Sequence, residues 1–291
     1  MNTFRFGVNM TVPGSRAEWV DKCRKTEDLG YDVLSVADHL GMQAPFPALV
    51  LAGEATERVR LNTFVLNTPF YNPVLLARDV AGTDQFVDGR LDLGLGAGYV
   101  KAEFEAAGIP FPGAGERIDH LQRSILELRR LFADPDYQPR PAQHGGPPLL
   151  IAGWGRRLLT LAAAHADIIA FAGASANREG KLEGLADIDA LAERVEFVRA
   201  ALGERVGKVD FNILVQLVAI TDDRQGLLER LRPYAPTLTL EQLGQLPTLL
   251  VGTAKQIAEQ LRANLERFGL NYITVLEHNL ETFAPVIELL R

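Results

Sequence analysis

An aspartate and a histidine stand side by side in the segment SVADHL, as Asp38 and His39. The residues before them indicate a strand, so the pair follows a strand end. An acid beside an imidazole at such a position could bind the polar edge of a ring and move a proton. An ordinary loop explains the same residues, with Asp38 capping the next helix and His39 solvated. Position alone leaves both interpretations open.

Three alternating glycines, Gly94, Gly96 and Gly98, lie in the segment LGLGAGY at the end of another predicted strand. Because glycine has no Cβ, a planar ligand or a phosphate could approach this backbone closely. The spacing differs from the GxGxxG pattern of dinucleotide-binding proteins. A purely structural turn is the alternative interpretation.

A third candidate lies in LLIAGWGRRLLTLAA, where a strand runs into Gly153-Trp154-Gly155 and a helix then opens with Arg156 and Arg157. The N–H groups at a helix start, together with guanidinium groups, form a plausible anion site. A tight turn with solvated arginines is the other interpretation.

The other common constellations are missing from the sequence. It contains no GxxxxGK[ST], no GxSxG, no HExxH and no Cys/His metal cluster, so no metal site is predicted. Cys23 is the single cysteine, which excludes an intramolecular disulfide and fits a reducing compartment. We expect it to be a buried small hydrophobe.

The elements that must position these residues alternate between apolar strands and amphipathic helices along all 291 residues. Eight such units predict a single domain over residues 1–291, a closed (β/α)8 TIM barrel with parallel strands. Long loops at about Tyr99–Gly115 and Gly173–Asp187 predict insertions at the C-terminal face, where barrel active sites are built. The predicted strands are Phe4–Asn9, Val33–Ala37, Arg60–Asn67, Leu91–Gly96, Leu149–Ala152, Ile168–Phe171, Phe211–Ile220 and Tyr272–Leu276.

Composition narrows the class of partner. A net charge of −7 argues against nucleic acid, whose phosphates require a surplus of Lys and Arg on one face. No apolar run is long enough to span a bilayer, and the N-terminal residues lack the plan of a secretion signal. We therefore expect a cytoplasmic protein that acts on a small molecule and binds neither nucleic acid nor membrane.

Several long segments together resemble the luciferase-like family, and especially its members that use the deazaflavin coenzyme F420. They occur in the same order and spacing over nearly the whole chain. The segments are GYDVLSVADHL, RVRLNTFVLNTPFYNPVLLARDVAGTDQFVDGRLDLGLGAGYVKAEFEAAGIPF, ERIDHLQRSILELRRLF, PPLLIAGWGRRLLTLAAAHADIIAFAG and LNYITVLEHNLETFAPVIELL.

The resemblance implies a barrel with a flavin-like ring in its mouth and, usually, a homodimer. It assigns proton transfer to His39 and implies a non-prolyl cis peptide bond between Phe64 and Val65, behind the ring. The turn at Gly153–Arg156 would bind the cofactor phosphate. The cofactor-binding residues implied are Asp38, Phe64, Val65, Asn67, Gly96, Ala97, Gly98, Gly153, Trp154, Gly155 and Arg156.

The sequence departs from the sugar-phosphate dehydrogenases of this family. Those enzymes carry an acidic residue shortly after the GxG and lysines for the substrate phosphate. Here Tyr99 follows Gly98, and neither Lys181 nor Lys255 is placed for that role. We therefore predict a substrate other than a sugar phosphate. Barrel-mouth residues expected to contact the substrate are Phe46, Phe70, Tyr99 and His278, whose mainly apolar character indicates a hydrophobic or aromatic ligand.

Two cofactors give two reactions in the same pocket. Coenzyme F420, an 8-hydroxy-5-deazaflavin, would carry a hydride to or from the substrate, and the sequence favours it. FMN would make the chain a two-component monooxygenase that uses O2 and needs a separate reductase. Two other classes also stay open. One is a lyase or isomerase barrel that holds a substrate phosphate at Gly153–Arg156, and the other is a protein that binds the cofactor without turnover.

Overall fold

The computed structural model describes residues 4–173, 175–176, 182–183 and 186–291. The strands are β1 (Arg5–Met10), β2 (Val33–Val36), β3 (Arg60–Thr63), β4 (Leu66–Asn67), β5 (Leu91–Gly96), β6 (Leu149–Gly153), β7 (Ile168–Phe171), β8 (Ser175–Ala176), β9 (Leu182–Glu183), β10 (Asp210–Val215), β11 (Leu217–Ile220), β12 (Leu249–Gly252) and β13 (Leu270–Leu276). The helices are α1 (Arg16–Asp28), α2 (Pro45–Ala55), α3 (Pro73–Phe86), α4 (Lys101–Ala106), α5 (Ala114–Ala133), α6 (Arg156–His165), α7 (Ile188–Leu202), α8 (Arg224–Leu231), α9 (Leu240–Gln245), α10 (Ala254–Phe268) and α11 (Leu280–Leu290).

Parallel strands close into the predicted barrel. Around the ring, β1 pairs with β2, β2 with β3, and β3 with β5. The order continues through β6, β7, β10 and β13, which returns to β1. The third position of the ring is shared by β3 and β4, since both pair with β5. Eight parallel positions surrounded by helices confirm the (β/α)8 fold.

The predicted strand Phe211–Ile220 is two strands in the structure. Its first part, β10, stays in the barrel, whereas its second part, β11, pairs with β12 in a separate two-stranded parallel sheet. The division falls at Gln216, whose backbone N–H donates to the carbonyl of Thr248 at 2.8 Å. This small sheet packs with α8 and α9 around its own apolar cluster, which includes Leu228, Leu243 and Leu246.

Local signals place several helices as expected. Ser15 caps α1 with a reciprocal capping box to Glu18, and Asn72 caps α3 ahead of Pro73. Cys23 lies on the buried face of α1, and burial raises the pKa of its thiol to about 12. A thiol that is protonated at neutral pH is a poor nucleophile, as its apolar position predicts.

Charged side chains close the N-terminal end of the barrel. The carboxylate of Asp92 in β5 is 1% exposed and pairs with Arg5 from β1 and with Arg60 from β3, the latter at 2.7 Å. Two cations around one buried anion satisfy its charge where water is excluded. The residues that follow the barrel strands lie at the opposite, C-terminal end.

The third barrel position approaches β5 very closely. The hydroxyl of Thr63 accepts from the N–H of Gly94 and donates to its carbonyl, both at 2.8 Å. A Cβ built on Gly94 would overlap the carbonyl oxygen of Thr63, so only glycine fits there. The peptide bond between Phe64 and Val65, which separates β3 from β4, is cis.

Both long loops predicted at the C-terminal face follow barrel strands. The loop at Tyr99–Gly115 contains the short helix α4. In the loop at Gly173–Asp187, the structure describes an antiparallel pairing of β8 with β9, while Lys181 lies outside the described residues. Among the helices in the described part of the chain, none has the length and apolar character needed to cross a membrane.

We predict that Gly94→Ala lowers the free energy of unfolding by about 3 kcal/mol, the upper end of the usual cost of overpacking a core. The added methyl meets a backbone carbonyl, which cannot rotate away as a side chain could. Urea unfolding followed by circular dichroism measures this.

Gly82→Ala is the matched control, because a Cβ at Gly82 in α3 meets nothing within 4 Å. That change should raise stability by roughly 0.5–1 kcal/mol, the usual gain of alanine over glycine in a helix. Equal stability of the two variants would contradict the close approach of the strands.

Candidate functional site

The candidate site lies at the C-terminal ends of the barrel strands. Because all eight positions run in parallel, the residues that follow β2, β4, β5 and β6 meet at one face. Asp38 and His39 follow β2, Asn67 ends β4, Gly98 follows β5 and Gly153 ends β6. The fold thus brings most of the predicted site residues to the same end.

His39 is held by a carboxylate that the sequence did not point to. Its Nδ1 lies 2.8 Å from Oε1 of Glu103, in α4. The two side chains are 31% and 14% exposed. The ring of Tyr99 stands edge-on to the imidazole, with centroids 6.1 Å apart. These contacts orient the imidazole at the barrel mouth, where it can exchange a proton with a bound molecule.

Asp38 supports the end of the third barrel position. One oxygen of its carboxylate, Oδ2, accepts from the backbone N–H of Asn67 at 2.8 Å and from the hydroxyl of Tyr71 at 3.1 Å. Burial raises the pKa of the Asp38 carboxyl, and these two hydrogen bonds oppose that shift. The sequence predicted that the Asp38 carboxylate binds a ligand. In the structure, one of its two oxygens is already hydrogen-bonded within the protein.

The glycines at the end of β5 and just after it leave room for side chains of the neighbouring barrel position. A Cβ on Gly96 would stand 2.6 Å from Cγ2 of Val65, and one on Gly98 would overlap Oδ1 of Asn67. The sequence suggested that a ligand approaches the backbone at these glycines. At Gly96 the space is instead filled by Val65. Gly98 has φ = +71°, a left-handed conformation that also favours glycine.

The amide oxygen of Asn67 is an acceptor at this site. Oδ1 is buried and takes no hydrogen bond from any residue in the described ranges of the chain. A buried acceptor without a donor is costly, so it suits a ligand that carries an N–H group. Asn67 therefore remains a candidate for contact with a cofactor ring.

The turn before α6 has the shape expected of an anion site, but its arginines point elsewhere. Gly155 is the N-cap of α6 and supplies no side-chain cap to the first N–H groups of the helix. Arg156 donates to Glu193 in α7 at 2.7 Å and lies 5.0 Å over the ring of Phe197. Arg157 pairs with Asp119. The backbone N–H groups that open α6 are thus free of a side-chain cap, whereas Arg156 is paired with Glu193. The phosphate-binding role of Arg156 stays a prediction.

The four predicted substrate residues have different surroundings. Tyr99 lies against His39, and its pKa is raised, chiefly by burial and also by the Glu103 carboxylate. Phe70 packs edge-on against buried Phe104 at 4.8 Å, and half-buried Phe46 packs against Tyr71 at 6.5 Å. His278 is exposed in a 3-10 turn, with Nε2 3.1 Å from Nδ2 of Asn279.

Three residues that organise this site, Glu103, Tyr71 and His120, were not predicted from the sequence. His120 in α5 donates from Nε2 to the carbonyl of Thr68 at 3.0 Å, which fixes the turn after β4. The one available signal for Glu103 was an acidic residue in the first turn of a helix that follows a barrel strand. In the described part of the chain, no group of His, Cys, Asp and Glu could hold a metal ion.

The profile of the luciferase-like monooxygenase family matches residues 1–272. An F420-dependent glucose-6-phosphate dehydrogenase of Rhodococcus erythropolis is 30% identical over 252 residues, which cover 77% of this chain and 71% of that protein. The same enzyme of Intrasporangium calvum is 36% identical over 128 residues, 40% of this chain and 38% of that one.

The oxygenase component of a flavin-dependent trigonelline monooxygenase of Acinetobacter baylyi is 30% identical over 152 residues, 46% of this chain and 42% of that one. The chain thus spans about two fifths of the length of the Intrasporangium and Acinetobacter relatives.

Solved structures share the fold over the full length of the chain. An F420-dependent secondary alcohol dehydrogenase in complex with an F420-acetone adduct superposes with a TM-score of 0.73 at 17% identity, covering 99% of both chains. The coenzyme F420-dependent tetrahydromethanopterin reductase of Methanopyrus kandleri gives 0.74 at 16% identity, covering 99% of this chain and 100% of that one. With the profile match over residues 1–272, these findings show that the chain belongs to the luciferase-like monooxygenase family.

Proposed function

We propose that the chain is an oxidoreductase that transfers a hydride between coenzyme F420 and a small apolar or aromatic organic substrate. The observation that carries the proposal is the half-buried His39 at the barrel mouth, with Nδ1 bonded to Glu103. F420-dependent enzymes among both the sequence relatives and the structural neighbours support this choice of cofactor.

The proposed ring site is formed at the ends of β2, β4 and β5. Half-buried Phe64 and Val65 would lie behind the ring, and Asn67 Oδ1 offers an acceptor for the imide N–H of a deazaflavin. Asp38 keeps its Oδ1 for the ring edge, while Oδ2 holds Asn67 and Tyr71. Gly96, Ala97 and Gly98 would border the cofactor side chain.

The proposed phosphate site is the turn of Gly153, Trp154 and Gly155. The uncapped N–H groups that open α6 would bind the anion, with the positive end of the helix dipole behind them. Arg156 would contribute only by leaving Glu193. Arg194 lies 5.7 Å over the Trp154 ring, close to the turn, and is itself paired with Glu193 at 2.8 Å.

The deazaflavin supplies hydride chemistry when it is bound, and the chain supplies orientation and proton transfer. In oxidation of an alcohol, His39 would accept the proton of the substrate O–H group. The hydride from the adjacent carbon would pass to the bound deazaflavin, so that the alcohol becomes a carbonyl compound. The resulting imidazolium is paired with the Glu103 carboxylate, which stabilises its charge. In the reverse direction, His39 returns the proton to the carbonyl oxygen.

The proposed substrate class rests on three aromatic residues at the C-terminal face, of which Tyr99 contacts His39. Tyr99, Phe70 and Phe46 present aromatic surface near the mouth, and each is partly accessible. Such surface favours ligands with apolar bodies, while His39 recognises one hydroxyl or carbonyl group. A neutral alcohol, ketone or enone fits this combination.

An FMN-dependent monooxygenase is the second candidate, supported by the flavin-dependent trigonelline monooxygenase among the relatives. It would use O2 and depend on a separate reductase. Homodimerisation and a cytoplasmic location remain expectations from the sequence in either case.

Titration of the purified apoprotein separates the two candidates. We expect coenzyme F420 to bind at least about tenfold more tightly than FMN, a difference of roughly 1.4 kcal/mol, when each cofactor's fluorescence is followed. Equal binding, or preference for FMN, would contradict the proposed cofactor.

We predict that His39→Ala lowers turnover by about 10²–10⁴-fold, the usual contribution of general acid–base catalysis, with little change in the Kd for F420. The assay follows F420 reduction with a panel of small secondary alcohols and oxidation of reduced F420 with ketones and enones. His144→Ala, at an exposed position, is the control and should retain full activity. Both assay directions are first run with the unaltered protein. Unchanged turnover of the His39 variant in a direction in which the unaltered protein is active would contradict the proton-transfer role of His39.

A further inference from the structure

We infer that Glu103 is a positioning residue that selects the tautomer of His39 and so directs the proton-accepting Nε2 toward the barrel mouth. The inference rests on the proposed function for its catalytic meaning. The hydrogen bond between the His39 imidazole and the Glu103 carboxylate does not depend on which cofactor the protein binds.

The tautomer follows from the chemistry of the partner. A carboxylate is an acceptor, so the nitrogen 2.8 Å from Glu103 Oε1 must carry a proton. In the neutral imidazole the lone pair then lies on Nε2. Without this partner the proton could move to Nε2. That nitrogen would then have no lone pair with which to accept the proton of the substrate hydroxyl.

Glu103 is held in place by its neighbours. The next residue, Phe104, is fully buried and packs edge-on between Phe70 at 4.8 Å and Phe111 at 5.0 Å. We call these three residues the aromatic clasp. Arg117 packs against the clasp, with its guanidinium carbon 4.3 Å from the Phe111 ring centre. Its Nε–H donates to the carbonyl of Gly98 at 2.9 Å.

The clasp links Glu103 to the barrel itself. Phe70 belongs to the turn that follows β4, and Gly98 follows β5, so α4 is anchored to both neighbouring positions of the ring. An otherwise short helix of six residues therefore presents its carboxylate at a defined place. This rigidity is what a positioning group needs, since small displacements of a base cost much of its effect.

Other charged groups around the imidazole do not replace Glu103. Asp38 is adjacent in sequence, but its Oδ2 is bonded to Asn67 and Tyr71. Glu105, on the same helix, is exposed and pairs with Lys101 at 3.5 Å. Among the residues that the structure describes, Glu103 is thus the carboxylate that contacts the ring of His39.

The test is the tautomer of His39, read from ¹⁵N chemical shifts and long-range ¹H–¹⁵N couplings in the protein without cofactor. The His39→Ala spectrum assigns the signals. We expect the neutral ring to be protonated on Nδ1. Glu103→Gln, which keeps an acceptor oxygen, should retain this tautomer, whereas Glu103→Ala should populate the Nε2–H form. Protonation on Nε2 in the unaltered protein, or no change in Glu103→Ala, would overturn the inference.

Turnover provides the second readout. Glu103→Ala should lower kcat by about 10–100-fold with an unchanged Kd for F420, the size of effect seen when a partner that orients a histidine is lost. Glu103→Gln should recover part of that loss. Glu105→Gln is the matched control and should change neither the tautomer nor kcat. If F420 fails to bind but the tautomer responds as expected, the proposed function fails and the positioning role remains.

Discussion

The contact between the third barrel position and β5 is the constraint on which the site depends. At Gly94, Gly96 and Gly98 the chain of β5 and its extension come so close to β3 and β4 that a methyl group would overlap Thr63, Val65 or Asn67. At Gly94 the contact is with the backbone of Thr63, and at Gly96 and Gly98 it is with the side chains of Val65 and Asn67. The residues at the end of β4 are therefore placed by close packing against a backbone that carries no side chain.

The hydrogen bonds at the barrel mouth build on that placement. Asp38 from β2 reaches the N–H of Asn67 and the hydroxyl of Tyr71, and His120 from α5 holds the turn from the other side through Thr68. This half-buried carboxylate accepts hydrogen bonds from two neutral donors. Burial raises the pKa of the Asp38 carboxyl, and these hydrogen bonds oppose that shift by stabilising its charged form.

Much of this architecture was predictable from the sequence, because apolar strand runs and helix caps are local signals. Leu91–Gly96 and Ile168–Phe171 were predicted with the bounds that the structure has. The strand Phe211–Ile220 was not predicted as two strands, because its apolar pattern continues through Gln216. What divides it is a hydrogen bond to Thr248, distant in sequence.

The same limit applies to the site. Asp38, His39 and the glycines were identifiable by type and by position at strand ends. Glu103 and His39 are 64 residues apart, and their contact depends on how α4 is anchored, which no local pattern encodes. The direction of Arg156 was equally hidden, because Glu193 and Phe197 come from another helix.

The small sheet of β11 and β12 stands outside the hydrogen-bonded ring. β10 and β13 pair directly with each other, so the barrel is complete without the segment from Leu217 to Gly252. That segment has its own apolar cluster, and it also contributes Val218 and Leu250 to the core of the barrel. Changes of length in its connecting loops can therefore be accommodated without altering the hydrogen-bonded ring, whereas loss of β11 and β12 would remove two side chains from the barrel core.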